Sequence, residues 1–306
     1  MAEKIGKVFL DYTYYPGKDL YSDGEIEDEL LAIAKQYGEE DYNKIIAERK
    51  SWPILYHFSH IRKNIVDFLP INSEDSILEI GSGCGAITGA LAEKAGQVTC
   101  IELSKKRSSI NAYRNRKYEN IKILVGNFQD ISRNLKERFD YITLIGVFEY
   151  SQGYIQGENP YLAMLKETIS HLKPGGKLIL AIENRLGLKY WAGCTEDHTG
   201  NYFEGLEGYT KEEGVRTFSR PELEKMFSAL EGIKTEFYYP YPDYKFPMVI
   251  YSDQYLPNKG ELGNNICNFD RKRMILFDEN KVFDSLCESN LFPLYANSFL
   301  VVLEKG

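Results

Sequence analysis

The chain has 306 residues, enough for one large domain or two modest ones. Its 37 Lys and Arg against 45 Asp and Glu give a formal net charge of −8, which argues against a dedicated nucleic-acid binder with a phosphate-matching basic surface. Hydrophobic residues are 43% and charged residues 27%, a globular rather than disordered balance, and no apolar run reaches membrane-spanning length.

The N-terminal MAEKIGKVFLDYTYYPGK has no apolar stretch of signal type. Cys84, Cys100, Cys194, Cys267 and Cys287 are widely spaced, with no zinc-type cluster. A cytoplasmic chain with free thiols is expected. Residues 25–49 carry apolar side chains at helical spacing, with Gly38 as an interruption. Residues 53–69 read as a second helix, with Leu55, Phe58, Ile61, Ile65 and Phe68 on one stripe and Pro70 as the stop. Strands and helices then alternate. Strands are expected at 76–80, 97–103, 121–126, 141–147 and 177–183, and helices at 86–95, 104–118 and 160–172. Such continuous apolar runs fit strands buried on both faces of a parallel, doubly wound sheet. Ser219 and Glu222 form a capping box for a further helix, and 233–239 and 298–304 read as the last two strands. The stretches 184–218 and 240–297 exceed ordinary connections and are expected to be substrate elements. Of the 23 tyrosines, only Tyr113, Tyr118 and Tyr141 lie between residues 57 and 146, so Tyr-rich segments flank an ordinary middle.

The most informative segment is Glu79-Ile-Gly81-Ser82-Gly83-Cys84-Gly85, where a buried strand turns into a helix. Glycine allows the tight turn and the close approach of a ligand, and the helix start offers free N–H groups. Glu102 ends the next strand, where a carboxylate can accept ribose hydroxyls. The spacing is GxGxG rather than the GxGxxG of dinucleotide binders. Glu79 would repel a pyrophosphate but suits a cationic ligand. LKPGG at 172–176 has no role in NAD binding.

These residues resemble the class I S-adenosylmethionine (SAM)-dependent methyltransferases. ILEIGSGCG, VTCIEL, GNFQD, FDYITLIGVFEY and LKPGGKLIL stand in that family's order. The resemblance implies a Rossmann-like, doubly wound seven-stranded sheet whose last strand is antiparallel, with an N-terminal helical extension and inserted caps. The implied organisation is an extension or lid over 1–70, a SAM-binding domain over 71–239 and 298–306, and caps at 184–218 and 240–297. Carried over by position, Glu79, Gly81, Ser82, Gly83 and Gly85 surround the methionine part of SAM. Glu102 holds the ribose, and Leu103 packs on the adenine. Asn127 and Phe128 sit at the adenine edge, and Gly146 and Val147 lie beneath the sulfonium.

Methyl transfer needs the nucleophile aligned with the sulfonium, and a base when the acceptor carries a proton. The segments after the fourth and fifth strands supply the candidates: Glu149, Glu183 and His198 for catalysis, and Tyr150, Asn184, Arg185, Tyr190 and Trp191 for the acceptor. His198 lies in Glu196-Asp197-His198-Thr199, beside carboxylates that can orient it. Cys194 and His198 are four apart, but no further Cys or His stands near them and no metal is expected. The sequence after the fourth strand is GVFEYSQG rather than Asn-Pro-Pro-Tyr, a departure from enzymes that methylate DNA bases. ENRLGLKYWAG, EDHTG, EGLEGY and YPYPDYKFPMVIYSD are similar to bacterial methyltransferases that accompany polysaccharide glycosyltransferases. The expected partner is therefore a small polar acceptor, a sugar among the candidates, with no nucleic acid and no membrane span. The alternatives are a non-catalytic SAM-binding scaffold and, more remotely, an NAD-dependent oxidoreductase.

Overall fold

A computed structural model describes residues 2–210, 214–263 and 273–306. Cys267 and the rest of 264–272, part of the second expected cap, lie outside the described residues, as do 211–213 of the first. The chain divides into two compact units, Met1–Leu144 with Ser170–Gly176, and Ile145–Ile169 with Lys177–Gly306.

The first unit is built on β1 (Ala2–Ile5), β2 (Val8–Tyr14), β3 (Ser76–Ile80), β4 (Gln97–Glu102), β5 (Ile121–Gly126) and β6 (Phe139–Ile145). Their order is β1-β2-β5-β4-β3-β6. The β2–β5, β5–β4, β4–β3 and β3–β6 pairs are parallel, as the apolar runs and alternating helices require. Strand β3 is the pivot at which the chain order reverses, the topology that opens a crevice at the carboxyl ends of parallel strands.

The second unit carries the last seven residues of β7 (Leu172–Glu183), then β8 (Ile233–Tyr241), β9 (Val249–Ser252) and β10 (Ser298–Lys305), in the order β7-β10-β8-β9. Strand β10 is antiparallel to both β7 and β8, as expected of the last strand. The described residues thus hold ten strands rather than seven. The additions are β1 and β2 on one edge and β9 on another.

The N-terminal extension differs from its expected helical form. Val8 and Leu10 are fully buried while Phe9 is 39% exposed, and this alternation makes β2 a strand beside β5. Helices follow at Ile26–Gln36 and Tyr42–Arg49, with Gly38 extended between them, as read from the sequence. The single helix expected over 53–69 is broken. Trp52–Phe58 ends where Ser59 turns extended (φ −62°, ψ 131°), and a short turn leads to Asn64–Asp67. Leu30, Ile33, Tyr42, Ile45, Ile54 and Phe58 pack with Cys84 and Ile110, so these helices close over the back of the glycine loop. Cys84, Cys100, Cys194 and Cys287 are free thiols. No helix among the described residues is long and apolar enough to cross a membrane.

Candidate active site

In the first unit the glycine loop hangs from the end of β4. The N–H groups of Gly81 and Ser82 donate to the Ile101 carbonyl at 2.8 and 3.2 Å. Gly83 N–H donates to Glu102 Oε2 at 2.7 Å, and Ser104 N–H donates to Glu102 Oε1 at 2.9 Å. The acid expected to hold the ribose therefore also braces the loop. Gly83 sits at φ +52° and Gly85 at φ +75°, in the left-handed region that favours glycine. A Cβ on Gly85 would fall 2.5 Å from Asn111 Oδ1. Leu103 is half-buried beside Glu102. Asn127 accepts from Gln129 N–H at 2.8 Å and caps the helix Phe128–Ser132, while Phe128 is buried against the edge of His171. Glu102→Ala would remove an anionic acceptor whose hydrogen bonds are each worth about 1.5–3 kcal/mol. SAM affinity is expected to fall at least tenfold by calorimetric titration, and an unchanged dissociation constant in a folded variant would refute the assignment.

Glu79 is buried and accepts from Thr88 Oγ1 at 2.6 Å and from Cys100 Sγ at 3.4 Å. Burial outweighs these bonds and pushes its carboxyl up to about 7. The folded state thus binds this proton more tightly than the unfolded chain. The resulting stability is fully present below the ordinary carboxyl range and is lost as pH rises through about 7. Glu79→Gln should therefore melt at higher temperature than the parent at pH 8, with the gap closing toward pH 4.5. Equal gaps at both pH values would show that Glu79 is not the group that titrates.

The segment expected as a lid is tied down in this unit. Tyr14 stands opposite Gly126 in the β2–β5 register. Asp19 accepts from Ser104 Oγ at 2.8 Å and Lys105 N–H at 2.7 Å, at the start of the helix Lys105–Arg114. Asp23 meets Arg107 at 3.1 Å and His57 at 3.6 Å. Arg107 Nη2 lies 3.0 Å from where a Gly83 Cβ would be, so its guanidinium covers the loop. Asp19, Asp23, His57 and Arg107 were not singled out by motif. Polar side chains spread over about ninety residues have no local pattern that marks them as neighbours.

The second unit holds a separate buried polar cluster. Glu149 follows β6 and Glu183 ends β7, and they are 1% and 0% exposed. Lys245 Nζ lies 2.5 Å from Glu183 Oε1 and 3.0 Å from Asp197 Oδ1. His198 Nε2 lies 3.6 Å from Glu183 Oε2, an ion-pair separation, and its Nδ1 is 3.2 Å from the Tyr150 hydroxyl. Lys189 joins Asp197 at 2.7 Å and Asp243 at 3.1 Å, and Tyr190 donates to Asp197. The N–H groups of His198 and Thr199 donate to Glu196 Oε2 at 2.8 and 2.7 Å, a turn that presents the imidazole. Burial opposes the imidazolium, but the Glu183 and Glu149 carboxylates outweigh it and hold His198 up to about 9. Burial and the neighbouring Glu183 push Glu149 up to about 8. Burial would raise Glu183 as well, yet Lys245 and His198 hold it below the usual range. Opposed shifts of this kind are common at sites of proton chemistry and in buried ion-pair networks.

The structure gathers Glu149, Glu183, His198, Tyr150 and Tyr190 from the expected set. It gives other work to the rest. Asn184 donates to the carbonyls of Leu294 and Ala296 at 2.9 and 2.8 Å and accepts from Leu186 N–H, which leaves no amide group for an acceptor. Arg185 is held by Glu222 and the Gly205 carbonyl. Trp191 is 44% exposed and donates to the Leu186 carbonyl. Gly146 has φ +66°, and a Cβ there would meet the Tyr244 hydroxyl at 2.8 Å, while Val147 is half-buried beside it. Lys189, Asp243 and Lys245 were missed. The ENRLGLKYWAG and YPYPDYKFPM runs pointed to their regions without indicating an ion pair.

Residues 78–178, from β3 through the glycine loop and Glu102 into β7, match the family of methyltransferase domains. Two curated relatives are similar to part of the chain. Ribosomal RNA small subunit methyltransferase A of Syntrophus aciditrophicus is 30% identical over 101 residues, 33% of each chain. The rRNA adenine N-6-methyltransferase of Bacillus licheniformis is 35% identical over 79 residues, 26% of each. The chain thus spans about a third or less of these relatives' own length. Among solved structures, the Haemonchus contortus phosphoethanolamine N-methyltransferase 1, bound to phosphoethanolamine and S-adenosylhomocysteine, is 13% identical, over 93% of this chain and 50% of that one, at a TM-score of 0.49.

The expectation that nucleic acid is not a partner is overturned by these relatives, whose names are those of ribosomal RNA methyltransferases. The net charge of −8 misled because it averages over the whole chain and says nothing of a local patch.

Proposed function

We propose that the protein transfers the methyl group of SAM to an oxygen or nitrogen of a polar acceptor. The glycine loop and Glu102 of the methyltransferase domain serve the donor, and Glu149, Glu183, His198 and Lys245 serve the acceptor. The observation that carries this reading is the buried cluster itself. Two carboxylates, an imidazole and an ammonium are grouped on the stretches that follow β6 and β7 and on 184–218 and 240–297. Such a grouping is costly to bury and is typical of sites that move protons. A non-catalytic SAM-binding scaffold would not need it. His198→Ala is expected to lower turnover by about 10²–10⁴ while SAM affinity stays within about twofold, since acid–base help acts on the chemical step.

Two acceptor classes have support. The flanking tyrosines and the long segments at 184–218 and 240–297 favour a small polar acceptor such as a sugar. The relatives' names favour a base of RNA. The test is label transfer from methyl-labelled SAM to saccharide conjugates and to ribosomal RNA transcripts, side by side. Label in the saccharide fraction supports the first acceptor class, and label in RNA supports the second. SAM that binds but yields no S-adenosylhomocysteine with either would favour the scaffold.

A further inference from the structure

We propose that Glu149, Glu183 and His198 form a binding site for one divalent first-row cation. Each offers one ligand atom, and the three atoms lie within 4.8 Å of one another. Small side-chain rotations would bring them round a single ion, at metal–ligand distances of about 2.0–2.2 Å.

Glu149 Oε2 is buried and has no hydrogen-bond partner among the described residues, and neither has His198 Nε2. A buried carboxyl oxygen is rarely left without a partner. Glu183 is divided between two neighbours. Its Oε1 faces Lys245, while its Oε2 faces His198 and remains available to an ion. His198 is prepared on its far side. The Tyr150 hydroxyl engages Nδ1 at 3.2 Å and leaves Nε2 directed at the carboxylates. Metal-bound imidazoles are ordinarily oriented by such an outer hydrogen bond.

Around the cluster Glu183, Asp197 and Asp243 face the ammonium groups of Lys189 and Lys245. Glu196 lies nearby but is satisfied by the N–H groups of His198 and Thr199 and by the Tyr209 hydroxyl. Two carboxylate oxygens and one imidazole nitrogen suit manganese or zinc. Three protein ligands would leave further positions for water or for a polar ligand. The sequence led to an expectation of no metal because the three ligands are spread from 149 to 198 with no ligand-type spacing.

The test reads metal binding without SAM or acceptor, so its failure leaves the methyl-transfer reading standing, and the reverse holds. Chelator-stripped protein is titrated with Mn²⁺, followed by electron paramagnetic resonance, and with Zn²⁺ in a calorimeter. One equivalent is expected to bind at better than millimolar affinity. Glu149→Gln and His198→Ala are each expected to weaken it at least tenfold, with circular dichroism reporting that both remain folded. His60→Ala, at an exposed histidine, should bind as the parent does. Tyr150→Phe, a milder change, should weaken binding without abolishing it. No binding of either ion, or binding unaffected by Glu149→Gln and His198→Ala, would overturn the proposal.

Discussion

Replacing Gly83 with valine is expected to abolish measurable SAM binding. Gly83 holds φ +52°, where a β-branched residue is strained by about 1–2 kcal/mol. The new Cβ would also stand 3.0 Å from Arg107 Nη2, the guanidinium that covers the loop. The side chain would then fill space the donor needs and pull the Gly83 N–H from Glu102. SAM affinity should fall more than a hundredfold, which is about 2.8 kcal/mol, while the far-ultraviolet circular dichroism stays that of the parent. A variant that binds SAM normally would make the glycine loop a turn without a ligand.

Glu183→Ala is expected to cost about 3–5 kcal/mol of stability, the usual loss when one partner of a buried ion pair is removed. It would take from Lys245, whose side chain is only 15% exposed, one of its two carboxylate neighbours, and from His198 the carboxylate that favours its charged form. Replacing Lys245 by methionine in the same chain should recover part of the loss, because the under-compensated ammonium goes with it and Asp197 keeps Lys189. Denaturant unfolding of both variants measures this. A loss below about 1 kcal/mol for Glu183→Ala would be that of a solvent-exposed pair.

The segment that matches methyltransferase domains was legible because its information is local. A buried apolar strand, a glycine turn and a helix start lie within ten residues, and Glu102 recurs at the end of the next strand. Ser104 as a cap and the Ser219–Glu222 box were readable for the same reason, since capping joins residues three apart. Strand β2 was readable in principle from the alternation of Val8, Phe9 and Leu10. The family resemblance implied a helical extension or lid there instead, and nothing in the pattern names β5 as the partner. The break at Ser59 was hidden because the apolar stripe runs on through it.

The polar cluster was half legible. Glu149 and Glu183 were found from their places after strands, and His198 from its acidic neighbours. Lys245 lies 62 residues beyond Glu183 in a segment read as a cap, and lysine reads from sequence as a surface residue. Only folding places its ammonium at a buried carboxylate.

The most direct measurement is a calorimetric titration of the parent protein with SAM and, separately, with NAD⁺. The account predicts one SAM site per chain, competition by S-adenosylhomocysteine and no heat with NAD⁺. Absence of SAM binding by folded protein, or NAD⁺ binding that SAM displaces, would contradict it.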